Sequence, residues 1–181
     1  MHARGLPNET NAYYSGAQQA LIFGDFIPAG ERTRIYSCRS LDVVAHETGH
    51  AILDGLKPGW KSLTQPPQTG ALHEAFGDLT AMFLVLSQMD LVEALVAETK
   101  ADLYQPNFMS ILCEQFGSGL AARSRKGLRN AFNTIKVQEA GTDVHGLSQV
   151  GHMNSNNILI LMFGQFIQRR FITLMTLLSL L

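Results

Sequence analysis

Residues 40–59 read SLDVVAHETGHAILDGLKPG and contain the most informative pattern of the sequence. Its apolar residues, among them Val43, Val44, Ile52 and Leu56, supply the faces of an amphipathic helix. Ser40 is a residue type favoured at a helix N-cap, and Asp42 falls in the first turn, where the helix dipole favours an acid. Lys57-Pro58-Gly59 is a stop signal. The pattern predicts a helix that begins at Ser40 and ends at the Lys57-Pro58-Gly59 signal.

The centre of this helix carries His46-Glu47-Thr48-Gly49-His50. Four residues advance an α-helix by about 400° and 6 Å, so His46 and His50 project from one face, a turn apart. Glu47 lies one step round the helix, near a shared metal without being forced to bind it. This is the His-Glu-x-x-His arrangement, in which two histidines hold zinc and the glutamate is the general base for water. Until a third ligand is found, a solvated helix with two unrelated histidines remains an alternative.

A third ligand is available in the segment LHEAFGD, residues 72–78. A catalytic zinc takes three protein ligands and keeps a fourth position for water, and Glu74 fits the third place. Asp78 follows four residues later, so the same helix face presents a carboxylate that can accept the outer N–H of a ligating histidine. His73 is a competing ligand, but its direction differs from that of Glu74 by about 100°. A surface acid pair is disfavoured because the neighbouring residues are mostly apolar.

Outside these segments the chain predicts a short β-rich start and a mainly helical body, which is an α+β fold. Extended runs cover residues 11–14 and 20–23, with turn signals at 24–25 and 28–30. Further helical patterns cover residues 71–88, 90–103, 108–123, 127–137 and 147–171. We predict three parts: a β-rich edge-strand segment at 1–39, a helical zinc-binding catalytic domain at 40–157, and an apolar C-terminal helix, complete or truncated, at 158–181.

Composition excludes several classes of function. The chain has 181 residues, of which 46% are hydrophobic and 16% charged, so a packed core is expected rather than disorder. A formal net charge of −1 carries no basic footprint for nucleic acid. Cys38 and Cys113 form neither a disulfide scaffold nor a Cys-x-x-Cys site. Arg169 and Arg170 divide the last apolar stretch into pieces of about ten residues, below the roughly 18 that a membrane span needs. A buried helix, or a terminus that has lost its packing partner, is therefore favoured over the alternative of a membrane span.

The ends of the chain leave its localisation open. Residues 1–8 lack the apolar stretch of a secretory signal. The protein is expected to be secreted if its native gene carries an upstream signal and propeptide, and cytoplasmic otherwise. The oligomeric state cannot be inferred from the sequence.

The motifs resemble the thermolysin-like neutral zinc metallopeptidases, zincins whose third metal ligand is a glutamate. The resemblance covers about residues 11–85 and rests on DVVAHETGHA at 42–51 with Asp54 beyond it, on Glu74-Ala75-x-x-Asp78, and on Asn11-Ala12-Tyr13-Tyr14 followed by Phe23-Gly24-Asp25. It implies a zincin-type catalytic body behind a β remnant that supplies the substrate-binding edge strand. It also implies these site residues: His46, His50 and Glu74 as zinc ligands, Glu47 as base, Asp78 as partner of a ligating histidine, and Asn11 and Ala12 as contacts to a peptide substrate.

The sequence departs from the family at the groups that would stabilise the oxyanion. Residues 51–73 contain no tyrosine to do so, and Trp60 could donate only an indole N–H. The family's second donor is a downstream histidine, for which His145, with Asp143 nearby, is the best candidate and His152 the runner-up. A loop histidine without a role is the alternative.

Calcium is usual in the family, but this chain does not carry the full pattern. Asp42 matches one ligand position, yet the stretch after Glu74 lacks the partner acids. We therefore infer Zn²⁺ and do not infer calcium.

The sequence is compatible with two functions. The first is a zinc endopeptidase that acts on peptides or proteins through water activated by Glu47. The second is a truncated, weak or inactive helical remnant that binds without hydrolysing, since only about forty residues precede the zinc helix.

Overall fold

Four strands in the N-terminal part of the chain form one sheet, and helices follow it. The computed structural model describes residues 1–60, 66–102, 107–112 and 129–130. The strands are β1 (His2–Pro7), β2 (Ala12–Ser15), β3 (Ala20–Phe26) and β4 (Ile35–Tyr36), with a separate short pair, β5 (Ile111–Leu112) and β6 (Arg129–Asn130). The α-helices are α1 (Leu41–Leu56), α2 (Pro67–Leu86) and α3 (Met89–Thr99), and 3₁₀ turns cover Ser37–Arg39 and Phe108–Ser110. The predicted α+β class is confirmed, whereas the division at residues 39 and 157 stays a prediction.

Strand β3 is the centre of the sheet. β1 pairs with it in parallel, and β2 and β4 pair with it antiparallel. The extended runs predicted at 11–14 and 20–23 correspond to β2 and β3, but the turn predicted at Gly24-Asp25 is wrong because β3 continues through both residues. Glycine is needed here for close approach: a Cβ on Gly24 would lie 2.3 Å from the carbonyl oxygen of Glu9.

A buried carboxylate ties the sheet together. Asp25 is 0% exposed, and Arg4 Nε donates to its Oδ2 at 2.8 Å while Arg34 donates to its Oδ1. The hydrogen bond from Arg4, supported by Arg34, lowers the pKa of Asp25 from its usual value, although burial acts in the opposite direction. β1 and the segment before β4 are thus both anchored to β3.

The helices differ from the prediction mainly at their ends. Helix α1 has the predicted extent, but the Ser40 side chain makes no capping hydrogen bond to the backbone and instead donates to the Asp42 carboxylate. Helix α2 begins at Pro67, four residues before the predicted Ala71, because proline is well suited to the first turn, where its missing N–H costs nothing. Helix α3 ends where Lys100 adopts the left-handed conformation, φ 52°.

The helices predicted at 108–123 and 127–137 are wrong where the structure describes them. Residues 108–110 form a 3₁₀ turn, and Ile111 pairs with Asn130 in the β5–β6 ladder. Strand pairing depends on a partner distant in sequence, so the local apolar pattern that indicated helices here does not report it. The rest of those two segments and the helix predicted at 147–171 lie outside the described residues.

The core lies between β3 and the helices. Its buried members are Phe23, Phe26, Val43, Ala45, Ala81, Met82, Leu95 and Met109. Helices α1 and α2 come into close contact at two glycines: a Cβ on Gly49 would lie 2.9 Å from the Cα of Gly77. The two helix backbones therefore meet beside His46 and His50 of α1.

Taken singly, no helix in the described ranges has the length and apolar character for a membrane span. Helices α2 and α3 reach those values only as a pair, and they are bent by 94° at their junction.

Candidate metal centre

Two histidines of α1 meet one glutamate of α2. Nε2 of His46 lies 3.4 Å from Oε2 of Glu74, and Nε2 of His50 lies 3.3 Å from Oε1 of the same carboxylate. One ligand atom from each residue can be chosen so that all three lie within 4.8 Å of one another. Both histidines are buried, and Glu74 is partly buried. Two imidazole nitrogens and a carboxylate converging on one point can hold a metal ion.

The local sequence explains this convergence. His46 and His50 are four residues apart on α1, so their rings lie one turn apart, with centroids 4.6 Å from each other. Gly77 lets α2 come close to them, since a Cβ there would lie 2.7 Å from Nδ1 of His46. Glu74, one turn before Gly77 on α2, consequently reaches both rings.

The second nitrogen of each histidine also has a partner on α2. Nδ1 of His46 lies 2.8 Å from Oδ1 of Asp78, which is 1% exposed. Nδ1 of His50 lies 2.9 Å from Nδ1 of His73. Each histidine therefore faces Glu74 with Nε2 and is held from behind through Nδ1. The structure places His73, the competing ligand of the sequence analysis, behind His50 rather than among the three converging groups.

Glu47, the residue after His46 on α1, has a buried carboxylate oxygen without a described hydrogen bond. The residue is buried, and within the part of the chain that the structure describes its Oε2 has no hydrogen-bond partner. Burying a carboxylate oxygen without a partner costs free energy, so such an oxygen calls for an explanation such as a catalytic role or an ion. Glu47 directly follows His46 in α1, so its carboxylate is a candidate for such a role at this centre.

The residues expected to contact substrate, Asn11 and Ala12, lie at the start of β2. Asn11 is exposed; its side-chain oxygen accepts from the backbone N–H of Ala12 at 2.9 Å, and its carbonyl accepts from Gly24 at 2.8 Å. Ala12 is the first residue of β2, which pairs with β3 alone among the strands described. Strand β2 is connected to α1 because the Tyr14 hydroxyl donates to Asp54 at 3.2 Å.

The Tyr14–Asp54 contact was not anticipated from the sequence. Burial, and secondly the hydrogen bond to Asp54, raise the pKa of the Tyr14 hydroxyl. The available signal was the position of Asp54, four residues after His50 and so one turn further along the same face of α1.

No contact described brings Trp60, the indole donor considered in the sequence analysis, to the cluster. Trp60 follows the end of α1, and the centre of its ring lies 5.9 Å from Nζ of Lys57. His145 and His152 lie outside the described residues, so the assignment of an oxyanion donor stays a prediction.

The geometry defines a class of site: a two-histidine, one-carboxylate centre between two packed helices.

Residues 2–54 match the family model described as the thermolysin metallopeptidase catalytic domain. The matched segment contains β1–β4 and almost all of α1, with His46, Glu47 and His50, and it ends before Glu74. It covers less than a third of the 181 residues. No curated protein and no solved structure shows significant similarity to the chain. Residues 2–54 are thus metallopeptidase-like.

Proposed function

We propose that the protein is a zinc-dependent endopeptidase in which His46, His50 and Glu74 bind zinc and Glu47 is the general base. The observation that carries the proposal is the orientation of the two histidines. Both direct Nε2 towards one carboxylate, and both have Nδ1 occupied by a partner on α2. Histidines that bind a catalytic metal commonly have this arrangement, because the outer contact fixes the tautomer and the ring orientation.

The donor set favours zinc. Two imidazoles and one carboxylate, without a thiolate, are a ligand set of hydrolytic zinc sites, and three protein ligands leave a position for water. When bound, zinc would supply Lewis acidity that lowers the pKa of water and polarises a carbonyl. The buried Oε2 of Glu47, for which the described residues provide no hydrogen bond, fits a neighbouring water.

Glu47 is the residue that moves the proton. Its carboxylate takes a proton from the attacking water as the water oxygen bonds to the carbonyl carbon of the substrate. It then gives that proton to the amide nitrogen as the carbon–nitrogen bond breaks. No serine or cysteine nucleophile is required.

The substrate in this proposal is a peptide or protein lying along β2. Asn11 and Ala12 contact its main chain, and Asp78 keeps His46 oriented during turnover. His145 supports the developing oxyanion. The support for this part is the position of β2, which is held against α1 through Tyr14 and Asp54.

One observation favours a second candidate, a metal-binding remnant that does not hydrolyse peptides. The similarity to the thermolysin family ends at residue 54, so it does not extend to the helix that carries Glu74. In that case the centre would bind metal while a working groove is missing.

Metal analysis combined with a peptidase assay tests the proposal. We expect about one zinc per chain, with hydrolysis of a fluorogenic casein substrate that 1,10-phenanthroline abolishes and added zinc restores. Glu47→Gln should keep the zinc and lose the hydrolysis, because the amide preserves shape but cannot take a proton. Glu93→Gln, on the exposed side of α3, is the matched control. Zinc binding without chelator-sensitive hydrolysis would support the remnant, and loss of zinc from the Glu47 variant would make that residue a ligand.

A further inference from the structure

We propose that His73 positions His50 by accepting a hydrogen bond from its Nδ1–H, and that His73 itself does not bind the metal. The inference rests on the zinc site proposed above. It assigns to the second ligating histidine the kind of partner that Asp78 provides for the first.

The contact that carries this inference is buried and short. His73 is 3% exposed, and its Nδ1 lies 2.9 Å from Nδ1 of His50, with the ring centroids 5.1 Å apart. This is a hydrogen-bond distance between two ring nitrogens. One of the two atoms must therefore carry a hydrogen and the other must offer a lone pair.

Metal binding decides which nitrogen donates. The Nε2 atom of His50, which faces Glu74, must use its lone pair for the metal, so the proton of the neutral imidazole is on Nδ1. That N–H donates to Nδ1 of His73, and the proton of the neutral His73 ring is consequently on Nε2. In the metal-loaded protein this contact selects one tautomer of each ring.

The same geometry argues against His73 as a ligand. Its Nδ1 contacts the nitrogen of His50 that faces away from the converging ligand atoms, and that contact uses the lone pair a metal would need. Helix α2 therefore contributes three different groups to the centre. Glu74 binds the metal, while His73 and Asp78 hold one ligating histidine each.

Two substitutions separate positioning from mere packing. His73→Asn keeps an acceptor near the original place, because the amide oxygen of asparagine and Nδ1 of histidine are both bonded to Cγ. His73→Leu fills similar space without an acceptor. His2→Asn, on the exposed strand β1, is the matched control for changing a histidine to asparagine.

The first measurement is the zinc Kd of the full-length chain by competition with a chromophoric chelator. We expect His73→Leu to weaken binding by about 10–100-fold, the usual effect of losing an outer partner, with His73→Asn recovering most of that loss and His2→Asn unchanged. Wild-type affinity in His73→Leu would overturn the proposal, as would an equal loss in the Leu and Asn variants. Failure of the wild type to bind zinc would overturn both this proposal and the proposed function, whereas zinc binding without hydrolysis would overturn only the latter.

A second measurement needs no variant and covers the case in which His73→Leu does not fold. The wild type is labelled with ¹⁵N-histidine and loaded with ¹¹³Cd in place of zinc. We expect one-bond cadmium coupling at Nε2 of His46 and His50, a proton on Nδ1 of His50, and no coupling at either nitrogen of His73. Coupling at His73 would make it a ligand and refute the proposal.

Discussion

The close approach of α1 and α2 can be tested with Gly49→Ala. A Cβ at this position would lie 2.8 Å from Thr80 Oγ1, 2.9 Å from the Cα of Gly77 and 3.1 Å from Thr80 Cβ. Neither neighbour can easily move, since Gly77 offers backbone and the Thr80 hydroxyl donates to the carbonyl of Phe76 at 2.7 Å. The substitution should therefore push the two helices apart.

Two opposing effects determine whether Gly49→Ala raises or lowers the stability of the protein. Alanine in place of glycine inside a helix stabilises it by about 0.5–1 kcal/mol. Overpacking a tightly packed contact costs about 1–3 kcal/mol. The clash is expected to prevail, which leaves Gly49→Ala destabilised by about 1 kcal/mol and lowers Tm by about 2–4 °C for a chain of this size. Zinc affinity should also fall, because Glu74 on α2 moves away from the histidines on α1.

Gly55→Ala is the matched control on the same helix. No atom lies within 4 Å of the place where its Cβ would be, so only the gain in helix propensity remains and Tm should rise. Thermal melts in the presence of a chelator compare the two variants, and chelator competition gives their zinc affinities. If Gly49→Ala raises Tm as Gly55→Ala does, the argument from helix contact is refuted.

Two further predictions concern buried carboxylates. Asp78→Ala should weaken zinc binding by about 10–100-fold, as measured by chelator competition, because His46 loses its outer partner. Asp90→Ala, in the exposed first turn of α3, is the control and should leave zinc affinity unchanged. Equal affinities in the two variants would remove Asp78 from the centre. Asp25 has a lowered pKa in the folded protein because of Arg4 and Arg34, so its stabilisation is present above the unfolded carboxyl pKa of about 3.9 and is lost as pH falls through the folded value. Melts of wild type and Asp25→Asn between neutral and acid pH should therefore converge on acidification, and a constant difference would contradict this linkage.

Sequence reasoning succeeded where the signals were local. Helix α1 could be predicted because its periodicity, first-turn acid and stop signal lie within twenty residues. The juxtaposition of His46, His50 and Glu74 followed from helical spacing together with the ligand count of zinc. The start of α2 at Pro67 is not evident from the sequence, because residues 64–70 read TQPPQTG, a polar, proline-containing composition typical of a loop.

The contacts that were missed join residues far apart in the chain. Spacing on one helix gives the direction of His73, but not which of its nitrogens meets which nitrogen of His50. The interaction of Asp25 with Arg4 and Arg34 depends on strand pairing, which no local pattern specifies. Gly24 likewise resembles a turn residue until the backbone of Glu9 is seen against it.

The distribution of groups between the two helices has a consequence for unfolding. Helix α1 supplies both imidazoles, whereas Glu74, Asp78 and His73 all belong to α2. A metal bound as proposed would be coupled to helix docking, because separation of the helices would remove the proposed ligand Glu74 and both proposed outer partners at once. The visible absorption of bound cobalt would then follow the docking of α2 on α1, and its loss during denaturation would mark the separation of this helix pair independently of the helical content of either one.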